Sequence, residues 1–547
     1  MTTTIYPARR VITMNPSRPD ATHVAVRDGR VLGAGSLAEL TGWGPHALDA
    51  RFADKVLMPG LVEGHSHVME GALWRYVYTG FHDRTDPDGR RWPGAASIAD
   101  VVDRLRDAER RLDDPGAPVV GWGLDPIHFA GGRRCNRHDL DAVSTTRPVA
   151  VMHASGHILN ANTRALERAG WLRAGIDHPA IPLGEDGLPT GELKGPEAMT
   201  PVFLDVGLDR AVLAGDEAGL RAFAKLCVRA GVTTATDLAS PLPPDAVTMM
   251  LAVTGEDAFP LRVVPLLRFL GQTPEQAIER ALELRALSTE RLRLGRVKIV
   301  ADGSIQGFSA RLRWPGYYNG APNGLWYTAP EQLRAMYRLA LARGVLVHTH
   351  TNGDEATELV LDCVEEALAA HPARDHRFTL QHCQLADAAQ FRRMAALGMC
   401  ANLFSNHHWY WGDAHYETTV GPERATRMNA CATALAAGVP FSVHSDAPIT
   451  PLAPLFSAWC AVNRVTSSGR VLGTHERIGV PDALAAITLG AARTLKLDGE
   501  IGSIETGKRA DFAVLDADPL AAAPEALKDV PVWGVVQGGR VFEAARR

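Results

Sequence analysis

The sequence predicts an α/β protein built around a (β/α)8 TIM-like barrel, with a long insertion after strand 1 and a small β domain formed by both chain ends. Three observations lead to this fold class. Eight short apolar runs alternate with helix-like stretches, about 170 residues separate the first run from the second, and strand-like segments mark both ends of the chain. Strands that alternate with helices indicate a parallel sheet, and eight such units indicate a closed barrel.

The two chain ends have the same pattern of short alternating β segments. Asp28-Gly29 lies between two such segments near the start, and Gly538-Gly539 lies between two near the end, as expected for hairpin turns. We therefore expect residues 1–57 and 490–547 to complete one composite β domain.

Between the ends, residues 58–489 are predicted to form the barrel. The eight predicted strands cover 56–62, 231–238, 261–269, 296–302, 345–351, 378–384, 399–406 and 440–446. The gap after the first strand predicts an inserted subdomain at about 72–215, which contains its own strand-like runs PVVGWGLD and RPVAVMHAS.

Composition excludes several classes of protein. The 57 Lys and Arg against 62 Asp and Glu give a formal charge of −5, without a basic run, so a nucleic-acid partner is not expected. No stretch of eighteen apolar residues occurs, so no membrane span is expected either. Seven widely spaced cysteines without a C-x-x-C pair predict neither a disulfide framework nor a thiolate metal site. These features favour a cytoplasmic protein.

Histidines and carboxylates recur where the predicted barrel strands end. His65 and His67 follow the first strand in an H-x-H pattern, the fifth strand carries His348 and His350, and single candidates occur elsewhere: Lys298, His382 and Asp446. The carboxyl ends of barrel strands form the active site, and residues two apart face the same side of a strand. Imidazole and carboxylate together favour a divalent metal, most simply zinc, although iron, nickel or manganese would fit the same donors.

Several motifs resemble those of the metal-dependent amidohydrolase superfamily, in its amidohydrolase-3 type branch that contains N-substituted formamide deformylases. They are MPGLVEGHSH (58–67), VKIVADGS (297–304), HTNGDEA (350–356), QHCQ (381–384), HSDAP (444–448) and GSIETGKRADFAVLD (502–516). The resemblance covers nearly the whole chain. Glu63 departs from it, since an aspartate commonly precedes the H-x-H at this position.

The resemblance implies a role for each candidate ligand. It implies one metal at His65 and His67, completed by the catalytic Asp446, and a second metal at His350 and His382. Lys298 would bridge the two as a lysine carboxylated by CO2. His350 is favoured over His348 because the family motif begins there. From the residues alone, one metal or two remain open, and Lys298 could instead be unmodified and pair with Asp302 or with a substrate carboxylate.

The resemblance and the ligand chemistry together predict hydrolysis of a C–N amide bond in a small molecule by a metal-activated hydroxide. Zinc lowers the pKa of bound water to about 7, and one carboxylate, Asp446, can act as general base and then as general acid. The narrowest expectation is an N-substituted formamide giving an amine and formate. A deaminase or cyclic amidase acting on a heterocycle is the alternative, and a degenerate barrel scaffold is the non-enzymatic one.

Two other segments are candidates for substrate binding. His157 lies in the insertion, where it could contact substrate or stabilise a loop. The aromatic segment 406–411 is predicted either to form an apolar wall for an aryl or alkyl group or to pack its own loop, and its candidate residues are His407, His408, Trp409 and Trp411. The resemblance further implies a homodimer.

Overall fold

The computed structural model describes residues 3–129, 133–208 and 215–545. The strands are β1 Thr3–Ile12, β2 Asp20–Arg27, β3 Arg30–Gly35, β4 His46–Leu48, β5 Val56–Pro59, β6 Leu61–Glu63, β7 Val77–Tyr78, β8 Arg84–Thr85, β9 Arg91–Trp92, β10 Val119–Leu124, β11 Val149–His153, β12 Ile158–Ala161, β13 Glu192–Lys194, β14 Val232–Ser240, β15 Arg262–Arg268, β16 Val297–Val300, β17 Val347–Thr351, β18 Thr379–His382, β19 Cys400–Leu403, β20 Phe441–Val443, β21 Phe512–Leu515, β22 Val532–Gln537 and β23 Arg540–Glu543.

The helices mostly follow the strands they connect. They are α1 Leu37–Thr41, α2 Met69–Leu73, α3 Ile98–Glu109, α4 Arg137–Asp141, α5 Thr163–Arg168, α6 Gly195–Asp205, α7 Glu217–Arg229, α8 Pro244–Gly255, α9 Pro274–Ala286, α10 Pro330–Arg343, α11 Asp354–Ala370, α12 Ala388–Ala396, α13 His407–Ala414, α14 Gly421–Arg427, α15 Cys431–Ala436, α16 Pro454–Asn463, α17 Val480–Ala486 and α18 Leu489–Thr494. Local sequence explains where several of them begin. Thr273 and Asp387, for example, each form a capping box with a glutamine three residues later, at the starts of α9 and α12.

Both chain ends contribute to one sheet, in the order β23-β22-β21-β5-β1-β2-β3, with β4 pairing to β1. The turn between β2 and β3 has positive φ at Asp28 and Gly29, which suits a two-residue hairpin. Phe52 and Phe512 are buried in the core on this sheet. At the C-terminal end the sheet begins with β21 at Phe512, whereas residues 491–501 pack against Val62, Leu238 and other side chains of the parallel strands.

The barrel strands form an eight-stranded parallel sheet in the order β20-β19-β18-β17-β16-β15-β14-β6. Just beyond the ends of β6 and β20, the Asp446 N–H donates to the His65 carbonyl at 2.9 Å and the His67 N–H donates to the Ala447 carbonyl at 2.8 Å. These bonds join the two outermost strands, which is consistent with a TIM-like barrel.

The first predicted barrel strand, 56–62, consists of two strands. β5 pairs antiparallel to β21 in the composite sheet, and β6 pairs parallel to β14. Gly60 lies between them, where a Cβ atom would come within 2.0 Å of the Thr233 Oγ1. The chain therefore changes sheet at a glycine because no side chain fits there.

The described residues divide into two compact units. The first contains residues 3–67, 224–447 and 452–545, and the second contains 448–451 and the described part of 68–223. In the second unit, a sheet of order β13-β12-β11-β10-β7 has a core on each face. Ala150 and Met152 of β11 face one core, and Val149 and Val151 face the other, as strand alternation requires.

Within residues 3–129, 133–208 and 215–545, none of the helices combines the length and apolar composition needed to cross a membrane.

Candidate metal site

Three predicted ligands meet where β6 and β20 end. The Nε2 atoms of His65 and His67 each lie 3.2 Å from Oδ1 of Asp446, and His65 is almost completely buried. One ligand atom from each of the three side chains lies within 4.8 Å of the other two. This spacing lets two imidazoles and one carboxylate hold a single cation.

Hydrogen bonds fix which nitrogen of His65 carries the proton. The Thr494 carbonyl can only accept, so Nε2 of His348 donates to it at 2.9 Å and Nδ1 of His348 accepts from the Gln381 amide at 2.7 Å. The Gln381 Oε1 therefore faces His65 and accepts from its Nδ1 at 2.7 Å. Nε2 of His65 is left with a lone pair directed towards Asp446.

A lone pair and a carboxylate oxygen 3.2 Å apart repel each other unless a cation lies between them. A proton fits poorly, because burial, and next the positive charge of Lys298, hold the pKa of His65 well below its usual range. Burial opposes ionisation of Asp446, but the hydrogen bond from His67 and nearby positive charges outweigh it and lower the pKa of Asp446. A neutral imidazole beside a carboxylate is the donor set that a divalent metal requires.

His382 and His350 lie next to this group, and Nδ1 of His382 is 3.9 Å from Oδ2 of Asp446. The ring centroid of His382 is 4.6 Å from that of His65 and 4.5 Å from that of His350. Nε2 of His350 lies 3.0 Å from the Asn352 amide nitrogen and 3.2 Å from the Gly303 carbonyl. The structure thus brings His350 beside His382, next to the group formed by His65, His67 and Asp446.

Lys298 is buried, and its Nζ has no hydrogen-bond partner among the described residues. Burial lowers the pKa of Lys298 to about 7, although the charge of Asp446 opposes the shift. Asp302 does not pair with it: its carboxylate accepts the backbone N–H groups of Arg311, Asn352 and Gly353 at 2.9 to 3.0 Å. A buried amine that readily loses its proton has the reactivity that carboxylation by CO2 requires.

His444 is a further buried histidine, for which the sequence predicts no role. Its ring is buried, stacks on the rings of His65 and Phe404 at 4.7 and 4.6 Å, and leaves both nitrogens without a partner among the described residues. His65, His382 and His444 form a second group whose ligand atoms lie within 4.8 Å of one another. The signal was present in the sequence, because His444 precedes Asp446 by two residues, as His65 precedes His67.

Glu63 connects the two strands that carry the first group. Its carboxylate accepts the Ser445 hydroxyl at 2.8 Å, the Ser445 N–H at 3.1 Å and the His65 N–H at 3.2 Å. Complete burial raises its pKa to about 8 despite these bonds. The side chain that departs from the family pattern therefore positions the backbone on both sides of the ligands.

The aromatic segment forms α13. His407, His408 and Trp411 are buried, and the His407 ring stacks on Trp411 at 4.3 Å and lies 2.8 Å from His415 through Nδ1 and Nε2. His407 and His408 also contact residues outside the segment: the His407 ring lies 4.9 Å from that of Phe404, and Nδ1 of His408 lies 3.3 Å from the Asn429 amide. A substrate contact for them stays a prediction.

The remaining substrate-binding candidates have different surroundings. Trp409 is half-buried, with its ring 4.7 Å from Tyr410 and 5.6 Å from Phe456. His157 lies in the second unit, where its N–H donates to the Ser155 hydroxyl at 3.3 Å and its carbonyl accepts from Gly195 at 2.9 Å. The substrate-binding roles of Trp409 and His157 also stay predictions.

Comparison with known proteins shows what this chain resembles. A model of the amidohydrolase family matches residues 52–542. The Arabidopsis thaliana protein LONG AFTER FAR-RED 3 is 29% identical over 525 residues, which cover 93% of this chain and 86% of that protein. The N-substituted formamide deformylase of Arthrobacter pascens is 26% identical over 546 residues, which cover 95% of each. An uncharacterized metal-dependent hydrolase from Pyrococcus horikoshii OT3 shares the fold, with a TM-score of 0.72 at 21% identity over 96% of this chain and 99% of that one.

Proposed function

The chain belongs to the amidohydrolase family and is a hydrolytic enzyme, and from that premise we propose that it cleaves the C–N bond of an N-substituted formamide, releasing an amine and formate. The metal-dependent part of the proposal rests on the position of His65, whose Nε2 lies 3.2 Å from the carboxylate of Asp446 while its Nδ1 lies 2.7 Å from Oε1 of Gln381. The narrower substrate rests on similarity over most of the chain to the Arthrobacter pascens formamide deformylase.

The residues that would hold the metal are those described above. His65, His67 and Asp446 would hold one ion, and His350 and His382 a second, with Lys298 as a carboxylated bridge. Zinc is the proposed metal because its preferred donors are imidazole nitrogen and carboxylate oxygen. Bound there, it would polarise the amide carbonyl and make water a better nucleophile at neutral pH.

Asp446 is the group that would handle protons. Its low pKa keeps it ionised and able to take a proton on its carboxylate from the attacking water. The same carboxyl group can then donate that proton to the leaving nitrogen, which an amine needs because its anion is a poor leaving group. Gln381 orients the His65 ring by accepting a hydrogen bond from its Nδ1. Glu63 accepts the backbone N–H groups of His65 and Ser445 and so positions the backbone on both strands.

The proposal divides into a metal test and a substrate test. Protein purified without added metal is first assayed for zinc by plasma mass spectrometry, with intact mass used to detect a carboxylated lysine. We expect about two ions per chain, and chelation should abolish turnover that zinc restores. Protein that carries no metal and gains no activity with zinc, nickel, iron or manganese would overturn the metal-dependent mechanism.

The substrate test uses N-alkyl and N-aryl formamides, with formate release as the readout and the matching acetamides as controls. We expect formate from at least one N-substituted formamide and much slower cleavage of its acetamide. Heterocyclic amines and cyclic amides are included in the same panel. Turnover of those compounds alone, by metal-loaded enzyme, would replace the formamide by a deaminase or cyclic amidase substrate and leave the metal assignment intact.

A further inference from the structure

A cavity lies at the opposite ends of the barrel strands from the proposed metal ligands. It has a volume of about 420 Å³, and Arg296, Leu346 and Phe378, which line it, immediately precede β16, β17 and β18. All its lining residues belong to the first compact unit. The volume falls within the range of small-molecule sites, roughly 300–1,000 Å³.

The charged lining of this cavity is mostly cationic. Arg285, Arg293, Arg296 and Lys496 contribute to it, against one carboxylate, Asp375. That carboxylate is already engaged, because it lies 2.6 Å from the Arg377 guanidinium and 3.9 Å from Lys496. Arg293 pairs with Glu500.

Arg285 and Arg296 have no carboxylate within ion-pair distance among the residues that the structure describes. Arg296 donates instead to the carbonyls of Arg293 at 3.1 Å and Leu495 at 3.0 Å, and Arg285 donates to the Gly344 carbonyl at 2.8 Å. Carbonyl acceptors hold a guanidinium in place without supplying the full negative charge of a paired carboxylate.

The pKa values respond to this excess of positive charge. Burial, and next the charges of Arg293 and Arg285, lower the pKa of Arg296 to about 10. Burial also lowers the pKa of Lys496; the charge of Asp375 opposes this shift, and the neighbouring arginines add to it. An anion placed among these groups would offset the repulsion between their positive charges.

We propose that this cavity binds a small phosphate monoester, with its phosphate between Arg285, Arg296 and Lys496 and its apolar part against Leu294, Leu341 and Phe378. Guanidinium groups bind phosphate through paired N–H donors, and a lysine adds a compact charge. The apolar side chains that line the cavity can contact an organic group, which inorganic phosphate lacks. The site is independent of the proposed hydrolysis, so either can fail without the other.

The experiment measures binding of phenyl phosphate to the full-length enzyme by isothermal titration calorimetry at constant ionic strength. The variants are Lys496→Met and Arg285→Met, whose side chains are exposed enough to change without disturbing the core. Lys528→Met is the matched control, because Lys528 pairs with Asp529 away from the cavity. Inorganic phosphate and benzyl alcohol are titrated separately to test the two halves of the ligand.

We expect saturable binding of phenyl phosphate to wild type and to Lys528→Met, weakened about tenfold in each cavity variant. Inorganic phosphate should bind more weakly than phenyl phosphate, and benzyl alcohol should not bind measurably. The proposal is overturned if wild type shows no saturation up to about 10 mM. It is also overturned if both cavity variants bind like wild type, which would place the ligand elsewhere, including at the metal site.

Discussion

Two H-x-H sequences of this chain place their histidines in different surroundings. His65 and His67 follow the last residue of β6, and both Nε2 atoms lie 3.2 Å from the same oxygen of Asp446. His348 is the second residue of β17, and its ring bonds to Gln381 and to the Thr494 carbonyl, whereas His350, two residues later, lies beside His382. Depth along the strand, rather than the motif, decides which side chains each histidine ring contacts.

The largest expected effect comes from the carboxylate that both histidines of the first pair approach. Asp446→Asn removes the proposed proton carrier and one anionic ligand but keeps the side-chain shape. We expect kcat to fall by about 10³-fold, within the range attributed to general acid–base catalysis. The measurement is steady-state turnover of whichever substrate the panel identifies, with circular dichroism to check the fold.

The control for this variant is Asp482→Asn, which removes a carboxylate from the first turn of α17. It should retain wild-type kcat. If Asp446→Asn also stayed within about threefold of wild type, Asp446 would have no part in the mechanism, and the first histidine pair would lose its proposed carboxylate partner.

The next prediction tests whether Lys298 bridges two metal ions, one at His65 and His67 and the other at His350 and His382. Lys298→Ala removes the proposed carbamate, so we expect fewer than two metal ions per chain and a loss of at least about a hundredfold in kcat. Added formate or acetate should restore part of the activity, because a short carboxylate can occupy the vacated bridging position. Wild-type activity and metal content in Lys298→Ala would exclude the bridge.

Variants of His348 and His350 contrast a structural histidine with a proposed metal ligand. His350→Asn should lower the metal content, because it removes a proposed ligand. His348→Asn should retain metal but lower the melting temperature, since leaving the buried Gln381 amide and Thr494 carbonyl poorly matched costs about 1–3 kcal/mol per unsatisfied group. Metal analysis and thermal unfolding of both variants separate the two roles, and the opposite pattern would reverse them.

The sequence predicted most of the fold because hydrophobic runs and helical stretches alternate with a clear period. It did not predict that the first run would divide at Gly60, since that break depends on Thr233, a residue far away in the sequence that contacts the same point. Strand-end positions predicted the histidines and Asp446 as neighbours, because carboxyl ends of parallel strands share one edge.

What the sequence could not supply was orientation. The role of Gln381 depends on a chain of hydrogen bonds from β18 to β17, α18 and the end of β6, and no local pattern encodes it. Likewise, the sequence predicts no role for His444, because the H-x-D spacing does not determine the orientation of its ring. The stacking of His444 on His65 depends on side-chain orientations that no local sequence pattern encodes.

The smallest effect we predict tests that orientation. Gln381→Leu removes the acceptor for His65 Nδ1–H and the donor to His348, so the tautomer that presents Nε2 is no longer fixed. We expect the dissociation constant for zinc, measured by competition with a chelating dye, to rise about 10- to 100-fold. At saturating zinc, kcat should fall much less than in Asp446→Asn.

Gln381→Glu distinguishes orientation from general loss of packing. A glutamate oxygen still accepts from His65 Nδ1–H and from the Asn402 amide, which lies 2.9 Å from the present Oε1. It cannot donate to His348, so only the half of the network that faces the metal is preserved. Zinc affinity in Gln381→Glu should therefore be closer to wild type than in Gln381→Leu. Equal loss in both variants would show that Gln381 supports the metal site through packing, and the link between the two histidine pairs would have to be sought elsewhere.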